Sequence, residues 1–122
     1  MHIYSFEKLD VWRLARVLTK SIYKLTKDFP DEEKFGLVSQ LRRAATSIGI
    51  NLAEGSGRIT GKEQARYTEM AYSSLMEVLA ELILSSDLEF ITEEKLVELR
   101  PSIDEIGNKL NALRTAQLRR VK

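Results

Sequence analysis

Apolar residues recur with the period of an α-helix in four separate stretches of the chain. From about Phe6 to Asp28, Val11, Ala15, Leu18, Ile22 and Leu25 fall at i, i+4, i+7, i+11 and i+14, one stripe of a 3.6-residue repeat. Phe29-Pro30-Asp31 ends that stretch, because the residue before proline is pushed out of the α region. From about Glu33 to Glu54, Leu37, Leu41, Ala44, Ile48 and Leu52 line one side, and Gly55 stands where a left-handed C-terminal cap is expected. The small residues Ala44, Ala45 and Gly49, on or beside that side, let a neighbouring helix approach closely.

From about Gly61 to Ser86 two stripes run together: Tyr67, Ala71, Leu75, Val78 and Leu82, and beside them Tyr72, Met76, Leu79 and Ile83. Glu63, Arg66, Glu69, Ser73, Glu77 and Glu81 fill the remaining arc, so the apolar side is wider than one bundle core needs. The fourth stretch, residues 92–118, opens with Thr92 as N-cap and with Glu93 and Glu94 at the positive end of the helix dipole. Leu96, Leu99, Ile103, Ile106, Leu110 and Leu113 then alternate by three and four. Pro101 interrupts this pattern. It predicts a kink rather than a new helix start at Ser102, because the seam keeps its phase through the proline. Short breaks between long amphipathic helices make sequential neighbours antiparallel, so the expected fold is all-α: one domain over residues 1–122, an up-down-up-down four-helix bundle with helices about 6–28, 33–54, 61–86 and 92–118.

Composition agrees, with 43% hydrophobic and 30% charged residues among 122 and only two prolines, which suits one helical core. The absence of cysteine removes disulfides and thiol chemistry. MHIYSFEKLD has neither the basic n-region nor the apolar h-region of a signal peptide, and no apolar run approaches the ~18 residues of a membrane span, so a cytoplasmic protein with no membrane partner is expected. His2 is the single histidine and no Glu-x-x-His pair exists, which leaves a His-based catalytic or metal site without support. Glu77 and Glu81, at i and i+4, have the spacing of an acid and base pair, but Glu63, Glu69 and Ser73 continue them into what reads as a solvated face. No catalytic residue, cofactor or metal is expected. NLAEGSGRITGKE, residues 51–63, lacks both the upstream strand and the GxGxxG or GxxxxGK[ST] spacing of a phosphate loop, and reads as a helix end and a turn.

Net charge is only +1, but residues 1–60 hold ten cations against seven acids while residues 61–122 hold nine against eleven. Arg13, Arg16, Lys20, Lys24 and Lys27 fall at i, i+3, i+7, i+11 and i+14, about half a turn from the first apolar stripe. This is either an ordinary solvated face or a ridge that follows a nucleic-acid backbone. Arg58, Lys62 and Arg66 add a small basic cluster at the turn between helices two and three. Arg114, Arg119, Arg120 and Lys122 extend the basic set at the C-terminus. A polar stripe on helix two, Gln40, Arg43, Ser47, Asn51 and Glu54, is either exposed or a hydrogen-bonded contact, since Ser and Asn favour a helix interior only when their side chains find partners. The Tyr72, Met76, Leu79 and Ile83 stripe either lies within one bundle or meets another subunit.

FEKLDVWRLA, then FP and EKFGLVSQLRRAATSIGINLAEGSGR, resembles the signature of the four-helix bundle family first known from open reading frames inside intervening sequences of bacterial 23S rRNA genes. Gln40, Arg43, Ala44, Ala45, Ser47, Ile48, Asn51, Ala53, Glu54 and Gly55 match it residue by residue, and YSSLMEVLAEL of helix three extends the likeness over nearly the whole chain. Gly49-Ile50, where many members carry a proline or small polar residue, and Pro101 depart from it. The resemblance implies a homopentamer without enzymatic activity, and kinship with the basic pentameric accessory protein of diversity-generating retroelements. The reading is a non-enzymatic oligomer that binds RNA or a ribonucleoprotein through basic outer faces. A nucleic-acid-processing protein is the other partner considered, and the alternative function is a protein-interaction scaffold or accessory subunit with no nucleic-acid role.

Overall fold

The structure is a computed structural model and describes residues 1–120. It contains four long helices, α1 (Asp10–Thr26), α2 (Leu37–Ser56), α3 (Gly61–Asp87) and α4 (Glu93–Leu118), with single 3-10 turns at Ser5–Lys8 and Asp31–Glu33. Around the bundle α1 packs on α2 and α4, and α3 packs on the same two helices, so chain neighbours are spatial neighbours and α4 closes back onto α1. Phe29 and Phe90, from the α1–α2 and α3–α4 connections, meet at a tilt with ring centroids 5.6 Å apart, which places both connections at one end. Among the described residues no helix is long and apolar enough to cross a membrane.

The core is continuous along the axis. Leu18 and Ile22 of α1, Leu41 and Ile48 of α2, Leu75 and Leu82 of α3 and Ile103, Ile106 and Leu110 of α4 are fully buried, each burial contributing about 1.5–3 kcal/mol. Ala44, Ala45 and Gly49 bring α1 close, as their size suggests: Thr19 Oγ1 reaches across to the Ala45 carbonyl at 3.2 Å, and a Cβ on Gly49 would lie 3.0 Å from the Trp12 ring.

Two helix starts fall later than the stripes suggest. α1 begins at Asp10, not Phe6, because Leu9 is extended (φ −73°, ψ 130°) and because Glu7 Oε2 accepts the Tyr4 amide at 2.9 Å, closing a separate turn. α2 begins at Leu37, not Glu33, because Gly36 leaves helical geometry (φ −114°, ψ −112°) and the Glu33 carboxylate accepts the Leu37 amide at 3.3 Å. Thr92 is the N-cap expected, its hydroxyl accepting the Lys95 amide at 3.0 Å. α4 runs unbroken through the exposed Pro101, so no new helix starts at Ser102.

Gly55 is not a left-handed cap. α2 continues to Ser56 and no glycine has positive φ. Gly55 is instead a point of close approach: a Cβ there would lie 2.8 Å from Tyr67 Cβ on α3. Gly61 has the same role more severely, since its Cβ would meet the Gln117 carbonyl oxygen of α4 at 2.1 Å.

Candidate nucleic-acid interface

α1 turns Val11, Ala15, Leu18 and Ile22 inward, and Arg13, Arg16, Lys20, Lys24 and Lys27 are all exposed on its outer side. The ridge is not uniform. Asp10 Oδ1 accepts Arg13 Nη2 at 2.9 Å and Asp10 Oδ2 meets Lys109 Nζ at 3.1 Å, so Arg13 is neutralised and α1 is tied to α4. The Arg13 guanidinium first, and Lys109 second, hold the Asp10 carboxyl below its usual range. Among the described residues Arg16, Lys20, Lys24 and Lys27 make no ion pair.

Beside this ridge a groove of about 390 Å³ opens between α1 and α2. Trp12, Ala15, Thr19, Thr46 and Gly49 line it, with the exposed Ile50 at its mouth and Arg16 and Lys20 as its cations. Phe6 meets the Trp12 ring edge-on, with centroids 4.8 Å apart. Arg42 fastens α1 to α2 beyond the Tyr23 end: Nε donates to Thr26 Oγ1 at 2.9 Å and the guanidinium lies 4.6 Å from the Tyr23 ring centroid. Nothing in the spacing of Tyr23, Thr26 and Arg42 signals this clasp, because its partners come from different helices.

The hairpin cations lie near the opposite end of the bundle from Lys27. Arg58 folds back over the Tyr67 ring, 4.6 Å from its centroid, and donates to the Tyr67 hydroxyl, so it already serves to close the turn. Lys62 and Arg66 are exposed. Near the C-terminus Arg114 pairs with Glu69 and Arg120 donates to Gln64, so these two pack onto α3. Arg119 is exposed, and Lys122 lies outside the described residues.

The polar stripe of α2 divides. Gln40, Arg43 and Glu54 are exposed, but Asn51 is buried, its Nδ2 donating to the Ser47 carbonyl at 2.9 Å and to Ser47 Oγ at 3.0 Å. Ser74 Oγ of α3 donates to Ser47 Oγ at 2.9 Å and carries this network across the helix pair. Glu81 faces the same seam and is only 7% exposed, whereas Glu77 beside it is exposed; the solvated-face reading therefore fails for Glu81. Its Oε1 has no hydrogen-bond partner among the described residues. Burial first and the Glu77 charge second push the Glu81 carboxyl up from 4.5 to about 7, against the opposing pull of Arg43. The signal was phase: Ser74, Val78, Glu81 and Ser85 share one α2-facing line.

On α3, Tyr72, Leu79 and Ile83 are half-buried against the core, while Met76 is exposed. The Tyr72 ring lies 3.5 Å from the position a Cβ on Gly107 of α4 would take, so that part of the stripe fills the α3–α4 side of this bundle.

The profile of the 23S rRNA-intervening sequence proteins matches residues 7–112. The chain belongs to that family. This member of the 23S rRNA-intervening sequence proteins is similar in fold to a solved protein of unknown function from the S23 ribosomal protein family of Bacteroides thetaiotaomicron. Identity is 21%, the match covers 88% of this chain and 94% of that one, and the TM-score is 0.61. The intervening-sequence family match accounts for all four helices up to Ala112. A search of curated proteins finds no match.

Proposed function

We propose that this chain is a non-catalytic RNA-binding bundle whose contact surface is the outer face of α1. The observation that carries the reading is the set Arg16, Lys20, Lys24 and Lys27: exposed, on one side of a single helix, and without ion-pair partners among the described residues. They extend over about 16 Å of helix axis, a length suited to several consecutive phosphates. Membership in a family named for 23S rRNA supports an RNA setting. Arg13 and Arg58 contribute little to this surface, because Asp10 and Tyr67 already hold them.

The test is charge reversal. Arg16→Glu, Lys20→Glu and Lys24→Glu together are expected to weaken RNA binding and to reduce the salt dependence by roughly one unit per lost phosphate contact. Unchanged affinity and salt slope would remove α1 from the interface. We further propose that several copies assemble, a homopentamer in the expected form, because repeated weak sites on one particle raise avidity without new contacts. A mass measurement in solution at micromolar concentration is expected to find a multimer, and a monomer there would refute the assembly.

A further inference from the structure

We infer that the groove between α1 and α2 takes an unpaired base, which makes single-stranded RNA the ligand class; this rests on the α1 reading above and deepens it. Phosphates alone call for cations on a convex surface. Here two of the cations, Arg16 and Lys20, border an apolar recess. Ile50 is 55% exposed at its mouth, and among the described residues no acidic side chain lines it. An apolar floor set between cations matches the alternation of a nucleotide strand, a flat hydrophobic base flanked by charged phosphates. Arg16 and Lys20 stand one helical turn apart, about 6 Å along the axis, close enough to meet the phosphates on either side of one nucleotide.

Trp12 is the stacking element, and its ring is positioned before any ligand arrives. Phe6 supports it edge-on, and the missing side chain at Gly49 leaves room for it against α2. The walls offer little to read a base edge. Thr19 Oγ1 donates to the Ala15 carbonyl at 2.9 Å and Thr46 Oγ1 to the Arg42 carbonyl at 3.0 Å, so both hydroxyl protons are committed to backbone. Stacking itself is sequence-tolerant, because every base has a π-face. It excludes duplex, whose bases are stacked and paired inside the helix and cannot enter a recess between two protein helices.

The experiment uses the full chain with a short unstructured oligouridylate and with the same strand annealed to oligoadenylate. Trp12 is the only tryptophan, so intrinsic emission reports on the groove directly. The expected result is quenching of Trp12 by the single strand and tighter binding of the single strand than of the duplex. Trp12→Leu and, separately, the uncharged Ile50→Ser should each weaken single-strand binding about ten-fold, read by anisotropy of labelled RNA, with duplex binding unchanged. Ile50→Ser guards against a folding artefact, because Ile50 is a surface residue, and circular dichroism checks both variants. Equal or tighter duplex binding, or single-strand binding with unaltered Trp12 emission, overturns the base-stacking inference and leaves the backbone reading of α1 standing. If neither RNA binds, both are overturned.

Discussion

Glu81 holds a carboxyl in a seam that its chain neighbours would have kept wet. Its neutral form is favoured by the fold, because burial raises the folded value to about 7 from 4.5. A raised carboxyl contributes stability that is fully present below about pH 4.5 and is lost as pH rises through about 7. The whole span is worth about 1–3 kcal/mol. Glu81→Gln is expected to flatten the dependence of the urea midpoint on pH across this window and to stabilise the protein above it. A pH dependence unchanged in the Gln variant would mean that other groups cause it. The sequence hid this residue because Glu77 and Glu81 look like one solvated pair, although only Glu77 is exposed. The glycines of residues 51–63 misled in a related way. Glycine suggests backbone freedom, but Gly55 and Gly61 are required for want of space, and the atoms that crowd them come from α3 and α4.

At the scale of helices, stripe period and length were legible, since Leu18, Leu41, Leu75 and Ile106 each lie where a 3.6-residue repeat puts them and each is fully buried. Helix starts were less so. Asp10 and Leu37 begin their helices because Leu9 and Gly36 hold non-helical backbone stabilised by the Glu7 and Glu33 carboxylates, interactions that no apolar stripe encodes. That α4 continues through Pro101 rather than starting anew at Ser102 was readable, since the apolar seam keeps its phase on both sides. The polar line from Ser47 to Asn51 was half-readable: its need for partners follows from residue type, whereas the partner, Ser74, becomes visible only when α2 and α3 are paired.

For the whole molecule, short connections and four amphipathic stretches sufficed to give the bundle, because few topologies remain once neighbours must be antiparallel. The candidate surface was legible in its cations and not in its recess. Arg16 and Lys20 show in the i+4 spacing of one helix, while Trp12 and Ile50 become neighbours only after α1 docks on α2. That docking has a further consequence. Five residues of α1 are buried against ten of α3, and its outer cations repel one another at i+3 and i+4, each such pair costing roughly 0.2–0.5 kcal/mol. α1 is therefore held less firmly than α3, and local opening should reach it before α3. In hydrogen exchange read by mass spectrometry, α1 amides should deuterate before those of α3, and added RNA should slow α1 selectively by screening the repulsion. Earlier exchange in α3 would contradict this order. On this view RNA acts as a clamp, holding shut the part of the protein that its own charge tends to open.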